Sequence, residues 1–277
     1  MGAAAIFARY ALLGAGPLAV AALRLSLASA VLLGIGAIFR ERAAPISRTH
    51  RSILIAAGVA LALHFATWIA SLEYTTVAVS TLLVSTSPLW TTLYDAVARG
   101  RRFPLVVPVA FIGGIAGLAL VTSSNHSPSP HPGHAVLGAA LALGGSAAFA
   151  AYLLLVRDVR AALSTRAIVT TTYTTAAIVL VVAALVAHQP PPALSSYGAW
   201  GGILAMALIS QLLGHTGMNA ALRWFSPTAV SFSTLLEPVI AAALALVLFG
   251  ETLSGAAIAG ALLLLGSIGA ILWIAPD

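Results

Sequence analysis

Residues 254–274 read SGAAIAGALLLLGSIGAILWI, an apolar stretch without one charged side chain. A helix crosses the hydrocarbon core of a bilayer, about 30 Å thick, with roughly 20 apolar residues. This stretch therefore predicts a transmembrane helix. It is the last of ten apolar segments, numbered here 1 to 10, near 2–13, 18–39, 53–72, 76–98, 104–122, 135–156, 167–187, 199–222, 227–249 and 254–274. Segment 1 is too short for a full crossing, at about 1.5 Å of rise per residue.

The composition excludes a soluble globular protein. Hydrophobic residues make up 60% of the 277 residues, charged residues only 7%, and the mean hydropathy is +1.04. Soluble domains carry about 25% charged residues. The chain has no cysteine, which excludes disulfides and thiolate chemistry. We expect no nucleic-acid partner despite the net charge of +6, because the basic residues lie in short loops that set orientation and contact membrane lipids.

The arginines orient the chain in the membrane. All thirteen basic residues are arginines, and eleven of them lie in alternate gaps between the segments, at 40–52, 99–103, 157–166 and 223–226. The other gaps contain no basic residue, at 14–17, 73–75, 123–134, 188–198 and 250–253. Short loops rich in arginine lie on the cytoplasmic side. The pattern predicts a multi-pass protein of a bacterial-type inner membrane, with both termini in the cytoplasm.

The chain divides into two related halves. Residues 123–133 read SSNHSPSPHPG, a linker rich in proline and serine that cannot be helical. We expect a first five-helix repeat over 1–122, an exterior linker over 123–134 and a second five-helix repeat over 135–277. A shift of 150 residues superposes Pro88 on Pro238 and Gly100 on Gly250. Because five is odd, the second copy is inverted relative to the first, as in many secondary transporters.

Three stretches carry a resemblance to a known family. They read LEPVIAAALALVLFGE at 236–251, TSPLWTTLY at 86–94 and AALR at 21–24. Over essentially its full length the chain resembles the EamA family of the drug/metabolite transporter superfamily, and within it the YddG-like aromatic amino-acid exporters. The resemblance implies an all-α integral membrane protein of ten transmembrane helices, arranged as two inverted five-helix repeats around a central cavity. Segments 1, 3, 4, 6, 8 and 9 would line the cavity, and segments 5 and 10 would be scaffold.

Polar and aromatic side chains recur at helical spacing on the segments that the family points inward, where they would be costly against lipid. The candidate cavity residues are His64, Trp68, Ser87, Trp90, Tyr152, His215 and Glu237. Some of them have a second interpretation. Trp68 and Tyr152 lie near segment ends, where aromatic residues anchor helices at the membrane interface. Trp90 and the two histidines are equally compatible with internal packing.

Two prolines and two charged residues lie within the segments. Pro88 and Pro238 predict helix kinks, since proline has no N–H to donate. Glu237 lies near the bilayer midplane, where it is either a proton or substrate-amine site or a structural carboxylate. Arg24 is expected to extend outward to the membrane surface or to pair with Glu73 or Glu237. Gly113 and Gly117 predict close helix packing.

The sequence predicts a transporter rather than an enzyme. It has no zinc-protease, hydrolase or P-loop motif, and we expect no cofactor and no metal. The predicted function is export of a small amphipathic metabolite by alternating access, with an aromatic amino acid as the first choice. Efflux of cationic aromatic drugs is the alternative. Two interpretations lie outside transport. They are an intramembrane enzyme that uses His64, His215 and Glu237 as a metal site, and a membrane scaffold.

Overall fold

The computed structural model describes residues 1–39, 46–124, 133–221, 224 and 234–274. All regular structure within these ranges is helical, which confirms the all-α prediction. The first half contains α1 (Ala4–Leu12), α2 (Pro17–Ile38), α3 (Arg48–Tyr74), α4 (Val77–Val84), α5 (Ser87–Val97) and α6 (Val106–Ser124). The second half contains α7 (Ala135–Val159), α8 (Thr165–Val186), α9 (Tyr197–Ala205), a π-helix (Met206–His215), α10 (Thr216–Ala221), α11 (Leu236–Phe249) and α12 (Gly255–Ile274).

Seven helical spans of the described chain are long and apolar enough to cross a membrane. They are α2, α3, α6, α7, α8, α12 and the continuous span Tyr197–Ala221 formed by α9, the π-helix and α10. These spans coincide with predicted segments 2, 3, 5, 6, 7, 8 and 10. Segment 1 is the 9-residue α1, and segment 9 is represented by the 14-residue α11, because part of that segment lies outside the described residues.

Segment 4, predicted as one helix with a kink at Pro88, is divided in the structure into α4 and α5. Pro88 has no N–H to offer to the Val84 carbonyl. The Thr86 hydroxyl donates to the Leu83 carbonyl at 2.7 Å and lies 2.9 Å from the Ser146 hydroxyl on α7. Polar groups freed by the break are thus paired inside the protein, as the membrane interior requires.

Two helices end in the same way, 150 residues apart. Gly100 follows α5 and Gly250 follows α11, with φ of 62° and 66°. After each glycine, the next backbone N–H donates to the carbonyl six residues before it, at 3.0 Å in the first case and 3.2 Å in the second. Glycine adopts this left-handed helix terminus without steric cost. The equivalence of Gly100 and Gly250 therefore extends from sequence to backbone geometry.

The contacts between helices stay the same when each helix is replaced by its counterpart in the other half. α3 packs along α7, and α1 packs along α9. Between the two halves, α1 corresponds to α7, and α3 corresponds to the span that begins with α9. The contact of α3 with α7 is therefore the counterpart of the contact of α1 with α9. α2 packs on α8, α4 on α11 and α6 on α12, so each of these pairs joins a helix to its own counterpart.

The contact between α6 and α12 depends on glycine. A Cβ at Gly117 would lie 2.6 Å from the Gly260 carbonyl oxygen, and a Cβ at Gly260 would lie 2.8 Å from that of Gly117. A Cβ at Gly113 would lie 2.8 Å from the Ser267 hydroxyl. The close packing predicted from Gly113 and Gly117 is confirmed, and these two helices form a pair at the side of the bundle.

We expect Gly117→Ala and Gly260→Ala each to destabilise the protein by about 1–3 kcal/mol, because the added methyl group meets backbone atoms that cannot move alone. Gly266→Ala on α12 is the matched control, since a Cβ there meets nothing within 4 Å. Thermal unfolding of the detergent-solubilised protein measures the difference. Equal unfolding temperatures for all three variants would contradict the assigned contact.

Candidate functional site

A cavity lies between α1, α3, α4, α7, the π-helix and α11. Its empty volume is about 650 Å³, with the open solvent at its mouth included. Five of the seven candidate cavity residues lie on its wall, and they come from α3, α5, the π-helix and α11: His64, Trp68, Ser87, His215 and Glu237. Residues far apart in sequence therefore meet around one cavity.

The other two candidates, Trp90 and Tyr152, do not line this cavity. The side chain of Trp90 on α5 is 37% exposed. Tyr152 on α7 is buried, and its ring stacks on Phe149 with centroids 5.7 Å apart and ring planes at 19°. Because Phe149 lies on the cavity wall, Tyr152 supports that wall from behind.

Pro88 and Pro238 each directly follow a wall residue. Pro88 lies in the first turn of α5, after Ser87, and Pro238 lies in the first turn of α11, after Glu237. Proline fits the first turn of a helix because its missing N–H has no helical partner there. Pro88 therefore marks a helix start rather than a kink. The residues at 225–233 that precede α11 lie outside the described residues.

Aromatic rings form one side of the cavity. The rings of His64 and Trp68 are parallel within 6°, with centroids 6.1 Å apart, and Phe149 is 4.8 Å from His64. His215 makes edge contacts with Phe149 at 5.9 Å and with Phe65 at 5.7 Å. Rings in offset and edge-to-face arrangements present flat apolar surface. This side of the cavity suits a planar apolar group.

His64 also joins α3 to α7. Its Nδ1 lies 2.9 Å from the Gly145 carbonyl oxygen. Because that oxygen only accepts, Nδ1 carries the proton, which leaves Nε2 as the acceptor of a neutral ring. A Cβ at Gly145 would lie 3.0 Å from the Thr67 hydroxyl and 3.3 Å from the Trp68 Cβ. The close approach of the two helices thus fixes the positions of His64 and Trp68.

The π-helix at 206–215 has no counterpart in the sequence prediction. It contains Gln211 and the wall residue His215, and the Thr216 hydroxyl donates to the Gln211 carbonyl at 3.3 Å. Short π-helical insertions occur frequently at functional sites. Hydropathy reports that a stretch is apolar and not which backbone hydrogen bonds it makes, so it gives no signal for a π-helix.

Arg24 was expected either to extend to the membrane surface or to pair with Glu73 or Glu237. Its side chain is fully buried in α2, so it does not extend to the membrane surface as expected. The described ion pairs do not include it. Its Nε donates to Gln211 Oε1 at 3.0 Å, and its Cζ lies 4.1 Å above the Phe65 ring. The guanidinium is therefore held by an amide and by a cation–π contact.

Glu237 is the acidic residue on the wall. It lies in the first turn of α11, where the helix dipole favours negative charge. None of the described ion pairs includes it, but it interacts electrostatically with Arg24. The two charges therefore lie near the same space without forming a direct salt bridge, which distinguishes Glu237 from an ordinary structural ion pair.

An ion pair closes one end of the bundle. Arg9 Nη2 on α1 donates to Glu251 Oε1 at 2.7 Å, and Arg9 Nη1 donates to the Leu72 carbonyl at 3.0 Å. The second oxygen, Glu251 Oε2, accepts from the backbone N–H of Val77 at 2.7 Å. Arg9 and Glu251 together thus join the last turn of α1 to the ends of α3, α4 and α11.

A second group of charges joins α5 and α7 at the other end. Both Asp95 oxygens accept from Arg157, at 3.1 and 3.2 Å. Asp95 also forms an ion pair with Arg99, four residues later, at 3.7 Å, and Arg99 lies 3.3 Å from Asp158. Each end of the bundle therefore carries an ion pair between a helix of one half and a helix of the other.

Within the described ranges, no group of three or more histidine and carboxylate side chains is arranged to hold a metal ion. The metal site considered for His64, His215 and Glu237 therefore has no support in the geometry. Apolar spans surround a cavity whose walls carry aromatic and charged side chains. This combination is typical of a multi-pass membrane protein that binds a small molecule.

Comparison with known proteins identifies the family. The model of the EamA-like transporter family matches residues 1–123 and 136–273. The chain belongs to the EamA-like transporter family. Members of this family are transporters and not enzymes. This protein is therefore a membrane transporter with a small-molecule substrate, and it contacts membrane lipids.

A solved crystal structure has the same fold. It aligns with a TM-score of 0.64 and 17% sequence identity, over 99% of each chain. At this identity the likeness concerns the fold alone. No curated protein matches the chain in sequence.

We expect Arg9→Ala to destabilise the protein by about 3 kcal/mol, because it leaves the Glu251 carboxylate buried without its counter-charge. Arg99→Ala is the matched control. Its ion pairs lie at the surface, where the loss is below about 1 kcal/mol. Thermal unfolding compares the two variants, and an Arg9 variant as stable as the Arg99 variant would contradict the assigned role.

Proposed function

We propose that this protein exports small amphipathic metabolites from the cytoplasm by alternating access, and that aromatic amino acids are its substrates. The observation that carries the proposal is the cavity wall, on which His64, Trp68 and Phe149 present ring faces and Glu237 presents a carboxylate. Rings bind a flat apolar side chain by stacking, and the carboxylate is complementary to an ammonium group. This composition favours the branch of aromatic amino-acid exporters.

We further propose ten membrane crossings in two inverted repeats, 1–122 and 135–277, joined by an exterior linker at 123–134. The glycine helix ends at Gly100 and Gly250 support the repeat, as does the exchange of helix contacts between the halves. An odd number of crossings in each repeat places these two glycines on opposite sides of the membrane. The arginine pattern favours a bacterial-type inner membrane with both termini in the cytoplasm.

The ion pair of Arg9 and Glu251 supports alternating access. In the proposed topology it lies on the exterior side. The wall residues of α1, from Met1 to Ala5, precede Arg9 and so lie toward the cytoplasmic side. In the proposed topology the cavity thus lies on the arginine-rich side of this ion pair, as expected for a state that loads a substrate for export.

Efflux of cationic aromatic compounds is the second candidate. Glu237 favours it, because a carboxylate beside aromatic rings binds cations through both charge and ring faces. The two candidates differ in one group, since an amino acid brings a carboxylate into the cavity and a cationic drug does not.

The proposed topology predicts the accessibility of single cysteines in a chain that has none of its own. Arg102→Cys lies between α5 and α6, and Ser195→Cys lies between α8 and α9; both positions are exposed. We expect a membrane-impermeant maleimide to label Ser195→Cys in intact cells and Arg102→Cys only after permeabilisation. Labelling of both positions from the same side would exclude the inverted arrangement.

The proposed substrate class predicts different effects for two tryptophans. In proteoliposome counterflow, Trp68→Ala should weaken the apparent affinity for phenylalanine and tryptophan about tenfold, through lost stacking and apolar contact. Trp90→Ala, outside the cavity, should leave it unchanged. Threonine and a quaternary ammonium dye serve as competing ligands in the same assay. Competition by the dye alone would favour the second candidate, and absence of flux for every ligand would reject transport of these compounds.

A further inference from the structure

Three buried hydrogen-bond donors lie together beside the cavity without an acceptor. They are Arg24 Nη2, Trp68 Nε1 and Gln211 Nε2, and none of them has a partner among the described residues. All three side chains are at least nine-tenths buried. An unpaired buried donor is costly, and more so when it is charged. Three such donors in one place indicate a group that is absent from the protein itself.

The three side chains are fixed relative to one another. Arg24 Nε donates to Gln211 Oε1 at 3.0 Å, and Arg24 Cζ lies 5.8 Å from the centroid of the Trp68 ring. The amide of Gln211 cannot be reversed, because its nitrogen would then face the guanidinium Nε–H as a second donor. Gln211 Nε2 therefore faces away from Arg24, on the side of the Tyr173 hydroxyl.

We propose that Arg24, Gln211 and Trp68 form a subsite for the carboxylate of the transported molecule. A carboxylate supplies acceptors only, and it matches a guanidinium and neighbouring N–H groups in geometry and charge. Trp68 connects the subsite to the cavity, because its ring lies on the wall while its Nε1 is buried. A shift of this ring admits the carboxylate to Arg24.

The charges around the cavity select a monoanionic group. One guanidinium balances one negative charge, and Glu237 on the same wall opposes a second. With the carboxylate at Arg24, an ammonium group on the same molecule is oriented toward Glu237. This inference rests on the proposed function, and it favours a zwitterionic amino acid over a cationic drug.

The test uses three ligands that share a phenyl ring. Phenylalanine carries both charges, phenylalaninamide lacks the carboxylate, and 3-phenylpropionate lacks the ammonium group. Binding to the purified protein is measured by the ligand-induced rise in unfolding temperature, independently of flux. We expect Arg24→Gln to weaken phenylalanine and 3-phenylpropionate about 10- to 100-fold, the loss of a hydrogen bond to a charged group. The binding of phenylalaninamide should be unchanged.

A second variant covers the case in which Arg24→Gln does not fold. Trp68→Phe keeps a ring on the wall and removes only the Nε1 donor, so it should weaken the two carboxylate ligands several-fold and leave phenylalaninamide unchanged. Trp273→Phe is the control, because Trp273 is 80% exposed. Equal effects on all three ligands, or no effect on phenylalanine, would overturn the subsite and leave the donors to bound water.

The binding assay separates this inference from the proposed function. If phenylalanine and 3-phenylpropionate bind in an Arg24-dependent way but no ligand is transported in proteoliposomes, the subsite stands and the proposed export is wrong. If phenylalanine is transported equally well by wild type and Arg24→Gln, export stands and the subsite is wrong.

Discussion

Every polar group inside a bilayer has to find its partner within the protein, and this constraint explains most of the architecture. Helices satisfy it for the backbone, so the described chain is all-helical. The break between α4 and α5 is tolerated because Thr86 pairs with Leu83 and Ser146. At the start of α4, the backbone N–H of Val77 donates to the Glu251 carboxylate. At these two places, neighbouring segments supply the hydrogen bonds that irregular backbone lacks.

The two halves share a scaffold but differ in the groups that face the cavity. The glycine helix ends and the helix pairs are equivalent in both halves. The ring side of the cavity is asymmetric, since α3 supplies His64 and Trp68 while its counterpart supplies the π-helix with Gln211 and His215. The shared features maintain packing, and the differences give the cavity its chemistry. A duplicated fold can thus acquire a directional binding site without losing its scaffold.

Hydropathy and charge predicted the seven long spans, and helical spacing predicted five wall residues that the structure places around one cavity. The sequence failed where local pattern carries no information. Hydropathy shows that residues 206–215 are largely apolar but not which backbone hydrogen bonds they make, so it did not predict the π-helix that holds Gln211. Trp90 has the spacing of a cavity residue, but the break before α5 turns its side chain outward to 37% exposure. Arg24 was visible as an isolated charge, but its partners lie on other helices.

Affinity and specificity come from different parts of this cavity. Apolar walls discriminate weakly, since one methylene is worth only about 1–3 kcal/mol, so the rings of Trp68 and Phe149 accept a range of flat side chains. A site with unpaired buried donors discriminates strongly, because a ligand without the matching acceptor leaves those donors unpaired. In the proposed subsite, the donors beside Arg24 and the carboxylate of Glu237 would bind the two charged groups that all zwitterionic amino acids share, while the rings would tolerate variation in the side chain. This division would suit a transporter that accepts several related metabolites and binds a zwitterion more tightly than a molecule bearing only one of the two charges.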